Sequence, residues 1–127
     1  MYDITKSDDC LLVEFNADFD YGTINSILSN KSLADEFRRL HNVWVIGRHQ
    51  AELRLGDIQT LVDDFGKLHT GCPDAKKMAI VVEPGLTEAK MRLMASGIER
   101  LKAISSRVFH TAHEARQWLL AGDNQLA

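Results

Sequence analysis

The chain reads as an α/β domain: a small mixed, mostly parallel sheet of about five strands with four to five helices. Three observations carry that reading. Residues 43–47 (VWVIG) and 78–82 (MAIVV) are almost continuously apolar, as in strands covered on both faces. Apolar residues recur at helical spacing elsewhere, as in Ile58, Leu61, Val62, Phe65 and Leu68. The chain opens on two short strand-like segments separated by the turn signal Ser7-Asp8-Asp9, which predicts a hairpin. Strand and helix signals then alternate, the order that leads to parallel pairing.

The elements follow in order. Residues 2–6 make an edge strand. Residues 10–15 (CLLVEF) make its partner, with Leu11, Val13 and Phe15 on one face and Cys10, Leu12 and Glu14 on the other. Asp20 caps a helix to about Ser29 that buries Ile24, Ile27 and Leu28. Asn30-Lys31 breaks it. Ser32 then caps a shorter helix with Leu33, Phe37 and Leu40 as its apolar side and Asp35 and Glu36 in its first turn. The central strand 43–47 is followed by a loop over 48–55 and a helix from Gly56 or Asp57 to His69, stopped by Thr70-Gly71-Cys72-Pro73. After the strand 78–82, Pro84-Gly85 turns the chain. Thr87 caps the next helix, whose core stripe is Met91, Met94, Ile98 and Leu101, with Gly97 a weak point. A short strand covers 107–109. Thr111 and Glu114 have capping-box spacing for a last helix that turns Ala115, Trp118 and Leu119 to the core, stops near Gly122 and leaves DNQLA as a frayed tail.

Bulk properties narrow the function classes. At 127 residues the chain suits one domain and can bury a core without staples. Its hydrophobic share of 45% and charged share of 26% are ordinary for a globular protein. A net charge of −3, from 15 basic and 18 acidic residues mixed along the chain, offers no basic field for nucleic acid or anionic membrane. No apolar run reaches the roughly 20 residues of a membrane span. The opening MYDITKSDDC is no signal peptide. Cys10 and Cys72 have no neighbouring cysteine at metal spacing, so two free thiols in a reducing, cytoplasmic setting are expected.

Four stretches together give the chain a family likeness: the opening MYDITKSDDCLLVEF, the central VWVIG, the strand KMAIVVEPG and the ending RVFHTAHEARQWLL. On these it resembles the SpoIIAA-like fold of STAS-type domains and their bacterial relatives over nearly its whole length. The resemblance implies helices that wind from one strand to the next as a β-α superhelix. Signalling members of that group carry a phosphorylatable serine, in an Asp-Ser-x-Gly-like run, where the loop after the third strand enters its helix. Here the place reads Arg54-Leu55-Gly56-Asp57-Ile58-Gln59, with no hydroxyl before Thr60. Asp57 puts a carboxylate at a helix start, where it would repel a phosphate; a plain helix-start carboxylate is the expectation.

The candidate site is the rim at the carboxyl ends of the parallel strands. Arg48, His49 and Arg54 follow the central strand, Glu83 and His110 follow the next two, and Asp57 opens the adjoining helix. A cationic rim with a histidine suits a small anion or a carboxylate-bearing metabolite; solvated loop ends are the plain alternative. His110-x-x-His113 is the nearest approach to a metal pair, but it runs into a capping box and should diverge. Neither a metal nor a cofactor is expected. No nucleophile elbow, Gly-rich phosphate loop or carboxylate–histidine spacing points to catalysis.

The function expected is therefore a non-enzymatic regulatory or binding module for a protein partner or small anionic ligand. Two alternatives stand beside it. One is an apolar-ligand domain of the CRAL-TRIO type, with a pocket lined by Phe37, Leu61, Phe65 and Met94. The other is an enzyme using His49 or His110 as a base. Trp44 and Trp118 should anchor the core. Tyr2 on the edge hairpin is the better exposed contact, and that hairpin could pair across a two-fold axis as a homodimer.

Overall fold

The computed structural model describes residues 2–7, 9–69, 76–102 and 104–121. Strands β1 (Tyr2–Lys6) and β2 (Cys10–Phe15) form the expected antiparallel hairpin, with Tyr2 opposite Phe15 and Lys6 opposite Leu11. A two-residue strand β3 (Phe19–Asp20) leads into helices α1 (Tyr21–Leu28) and α2 (Lys31–Arg39). Strand β4 (His41–Gly47) is followed by a second two-residue strand, β5 (Ala51–Glu52), and helix α3 (Leu55–His69). Then come β6 (Lys76–Val82), α4 (Leu86–Arg100), β7 (Ile104–Phe109) and α5 (Ala112–Ala121). The main sheet has five strands in the order β1-β2-β4-β6-β7, parallel from β2 onward.

That order advances in one direction across the sheet. Each right-handed crossover then places its helix on the same face. Residues of α1 to α4 accordingly share one core with Leu11, Val13, Trp44, Ile46, Met78 and Ile80. Among the described residues, helix α5 alone serves the opposite face, where Ala115, Trp118 and Leu119 meet Ala79, Val81 and Phe109. Coverage of that face is partial. Val43, Val45 and Trp118 are half-buried, so β4 alternates in burial where uniform burial was expected.

Trp44 lies at the centre of the larger core, 1% exposed, with Phe15, Phe37 and Phe65 rings at 5.7, 6.1 and 5.6 Å. Burying one such side chain is worth about 1.5–3 kcal/mol or more. Phe37, Leu61, Phe65 and Met94, the residues suggested for an apolar pocket, are 0–1% exposed within this same packed cluster. Tyr2 is half-buried, with its ring 6.4 Å from Phe15, so it is not the free contact its edge position suggested.

Several boundaries differ from expectation for local reasons. Asp20 caps α1 through the Thr23 N–H at 3.0 Å, as read from the sequence. The cap of α2 is Asn30, which accepts from the Ser32 N–H at 3.0 Å, one turn signal earlier than Ser32 itself. The cap position of α4 is Gly85, at φ +149, with no side-chain bond; Thr87 sits inside the helix. β7 begins at Ile104, so Ser105 and Ser106 lie within it. Leu101 is 41% exposed and leaves the α4 core stripe. Asp8, the stop at residues 70–73 with Cys72, and the end from Gly122 fall outside the described residues.

Gly97 is a point of close contact between helices. A Cβ there would lie 2.9 Å from Val62 Cγ2, and one at Gly66 would lie 2.8 Å from Leu101 Cδ1. Helices α3 and α4 therefore approach through glycines. Gly56, in the exposed first turn of α3, has nothing within 4 Å of its Cβ position. Gly56→Ala should stabilise the fold by up to about 1 kcal/mol, the difference in helix propensity. Gly97→Val should cost about 1–3 kcal/mol through overpacking. Urea unfolding of the two variants checks both signs.

Candidate functional site

The ends of β4 and β6 are held together by the Glu83 N–H, which donates to Gly47 O at 2.8 Å. Gly47 has φ +61, a left-handed conformation that favours glycine, and the β4–β6 register shifts at this point. The chain is thereby turned out of the sheet. The following loop is fixed by two contacts from the loop after β2: Phe19 N–H donates to Gln50 O at 3.0 Å, and Gln50 N–H to Asp18 Oδ1 at 2.8 Å. β5 completes this clamp by pairing parallel with β3.

Between this loop and the start of α4 lies a cleft of about 260 Å³. Arg48, His49 and Glu83 line it, together with Gly85, Thr87 and Lys90 of the α4 approach. Lys90 Nζ donates to Ala51 O at 2.8 Å, and the Ala51 N–H donates to Thr87 Oγ1 at 3.4 Å. These bonds tie α4 to the loop and commit Lys90. His49 Nδ1 is 3.8 Å from Asp18. Arg48 is exposed and, among the described residues, has no hydrogen-bond or ion-pair partner.

Three of the six rim residues expected from the sequence thus meet in one cleft, and three do not line it. Asp57 accepts the Arg54 N–H at 2.9 Å, so its carboxylate closes the first turn of α3 as a cap. Arg54 occupies the position just before α3, exposed. His110, at the end of β7, is bound by α4: its Nε2 is 2.7 Å from Glu88 Oε2, which also receives Arg92 Nε at 2.9 Å. The His110 bond first, and the Arg92 bond second, hold the Glu88 carboxyl below its ordinary range. Thr111 and Glu114 make the expected cap of α5, with the Glu114 N–H donating to Thr111 Oγ1 at 3.2 Å.

Sequence reasoning did not bring Lys90, Thr87 or Glu88 to the rim; Thr87 was read only as a helix cap. Lys90 stands one helical turn after Leu86, a spacing visible in the sequence, but its partner at Ala51 depends on the β3–β5 clamp. Burial chiefly, with Asp9 adding to it, pushes the Cys10 thiol up, which disfavours the reactive thiolate. Among the described residues no group of three or more His, Cys, Asp or Glu could hold a metal ion, and no helix is long and apolar enough to cross a membrane. No protein-family model matches the chain, and neither a curated protein nor a solved structure matches it.

Two expectations follow from these contacts. Asp57→Ala should lower stability by about 1 kcal/mol, as loss of a helix cap does, measured by urea unfolding. Because Glu88 ionises below its ordinary range in the folded chain, its contacts stabilise the fold above about pH 4.3, the unfolded value. That contribution is lost as the pH falls further. In His110→Ala the Glu88 midpoint should rise partway toward the ordinary value, with Arg92 retained. A carboxyl-carbon NMR titration reads the shift.

Proposed function

We propose that the chain is a STAS-like, SpoIIAA-like binding module that takes a small anion in the cleft between the loop after β4 and the start of α4, and that it is not a catalyst. The observation that carries the reading is Arg48, an uncommitted guanidinium at the edge of a preformed cleft. Lys90 adds a second positive charge to the lining. Gly85 leaves the start of α4 without a side-chain cap, and such helix starts favour anions. Arg48 is suited to a carboxylate or a phosphate because its planar fork can give two parallel hydrogen bonds. Glu83 lines the same cleft and disfavours a second negative group near the end of β6.

The strand order, with its antiparallel first strand and helices wound from strand to strand, supports the family reading. Asp57 bears on mechanism. Its carboxylate is spent on the Arg54 N–H, at the place where signalling STAS domains carry a phosphorylatable serine. The module proposed here therefore responds to an occupant of the cleft and not to phosphorylation at that helix start.

Thermal denaturation with inorganic phosphate, sulfate, succinate or citrate tests the proposal. A ligand at 100 times its Kd stabilises the fold by about 2.7 kcal/mol, which for a domain of this size raises Tm by roughly 10 °C. Arg48→Gln should weaken the effective anion at least about tenfold, the weight of one charged hydrogen bond. Unchanged Tm with all four anions, or unchanged binding in Arg48→Gln, overturns the reading.

A further inference from the structure

Strand β7 closes the sheet on one side and, among the described residues, pairs with β6 alone. Backbone groups of successive strand residues turn to alternate sides. The Ser106 N–H is donated at 2.9 Å to Glu99 Oε1 of α4, so it is not used in the β6 ladder. Ser106 and, by the two-residue period, Ile104 and Val108 therefore present their backbone N–H and C=O groups to the open edge. Glu99 holds the middle one in place of a neighbouring strand.

A trough of about 250 Å³ runs along this edge. One wall is the flank of α4 formed by Arg92, Ser96 and Glu99; the other is Ser106 and Val108. Ser106 is 3% exposed, yet among the described residues its buried hydroxyl has no hydrogen-bond partner. A buried unpaired hydroxyl is costly, and Ser106 is itself part of the trough's lining. A helix flank set beside an open strand edge is the arrangement in which an extended peptide adds as a further strand.

We propose that the β7–α4 trough docks an extended peptide carrying a basic side chain. The charges in the trough select that occupant. Arg92 is already bound to Glu88, with Nη2 at 2.8 Å. Arg107 lies over the Trp118 ring, 5.4 Å from its centroid, and Trp118 belongs to the helix on the opposite face. A carbonyl of the incoming strand takes the Ser106 N–H and releases Glu99. The freed carboxylate then needs a cation, which a Lys or Arg on the α4 side of the peptide supplies. The main chain gives the affinity and Glu99 gives the preference.

The test uses the full chain, 15N-labelled, titrated with the peptide acetyl-TVKVT-amide and with its Lys-to-Glu counterpart. Perturbation should centre on the amides of Ile104, Ser106 and Val108, with the Lys peptide favoured by about tenfold, the weight of a charged hydrogen bond. Glu99→Gln keeps an acceptor for the Ser106 N–H and removes the charge; it should erase the preference while the Lys peptide still binds. Val108→Pro removes an outward N–H, which an edge strand tolerates, and should abolish binding with the far-UV spectrum unchanged. Perturbation centred on β1, equal binding of the two peptides, no binding, or self-association of the chain through β7 overturns the proposal. Should Val108→Pro not fold, Glu99→Gln decides it.

Discussion

The pairing of β4 with β6 is the constraint on which the rest of the structure depends. It joins the two most apolar segments of the chain in parallel, from Asn42 opposite Met78 to Gly47 opposite Val82. Parallel neighbours cannot be joined by a tight turn, so α3 must cross from one to the other. The same requirement sets α1 and α2 before β4 and α4 before β7. Because the order advances in one direction, all four helices collect on one face, where Trp44 and its surrounding phenylalanines fill the space between helices and sheet. The opposite face is left to α5, whose smaller cluster buries Ala79 and Val81.

One-way strand order also shapes the binding cleft. Doubly wound sheets open a crevice where the order reverses; β2, β4, β6 and β7 offer no such reversal. The cleft here is made by loops instead. Gly47 turns the chain out of the sheet, Asp18 and the β3–β5 pair hold the loop, and Lys90 and Thr87 tie it to α4. Each tie runs between segments more than thirty residues apart along the chain. The cleft is thus a product of the assembled sheet and is lost with it. Its cations are divided between structure and recognition: Lys90 holds the loop, while Arg48 remains uncommitted.

The two edges of the sheet are managed differently. The hairpin ends the sheet at β1, whose exposed positions include Asp3 and Lys6. Charged side chains on an edge discourage pairing with another chain. At β7, α4 supplies Glu99 to occupy a backbone donor. That carboxylate makes the edge conditional. It can stay paired with Ser106 or yield to a strand that replaces it and neutralises its charge.

The sequence by itself determined the order along the chain of the five main-sheet strands and the five helices. Hydrophobic period separated the strands of residues 43–47 and 78–82 from the helices of Ile58 to Phe65 and Met91 to Ile98. Local capping chemistry at Asp20 and Thr111 is written in side chains three residues from the groups they bind, so it too was legible. Sequence placed Arg48, His49 and Glu83 at strand ends, and they do share a cleft. Only the tertiary structure decided what those residues meet. His110 points to Glu88 because β7 and α4 lie side by side, and Gly97 is needed because Val62 faces it. β3 and β5 are too short to carry a periodic signal, and their pairing exists only once the sheet brings residues 19 and 51 together. Local spacing specifies contacts within a turn or a strand; contacts between distant segments depend on strand order, which period alone leaves open.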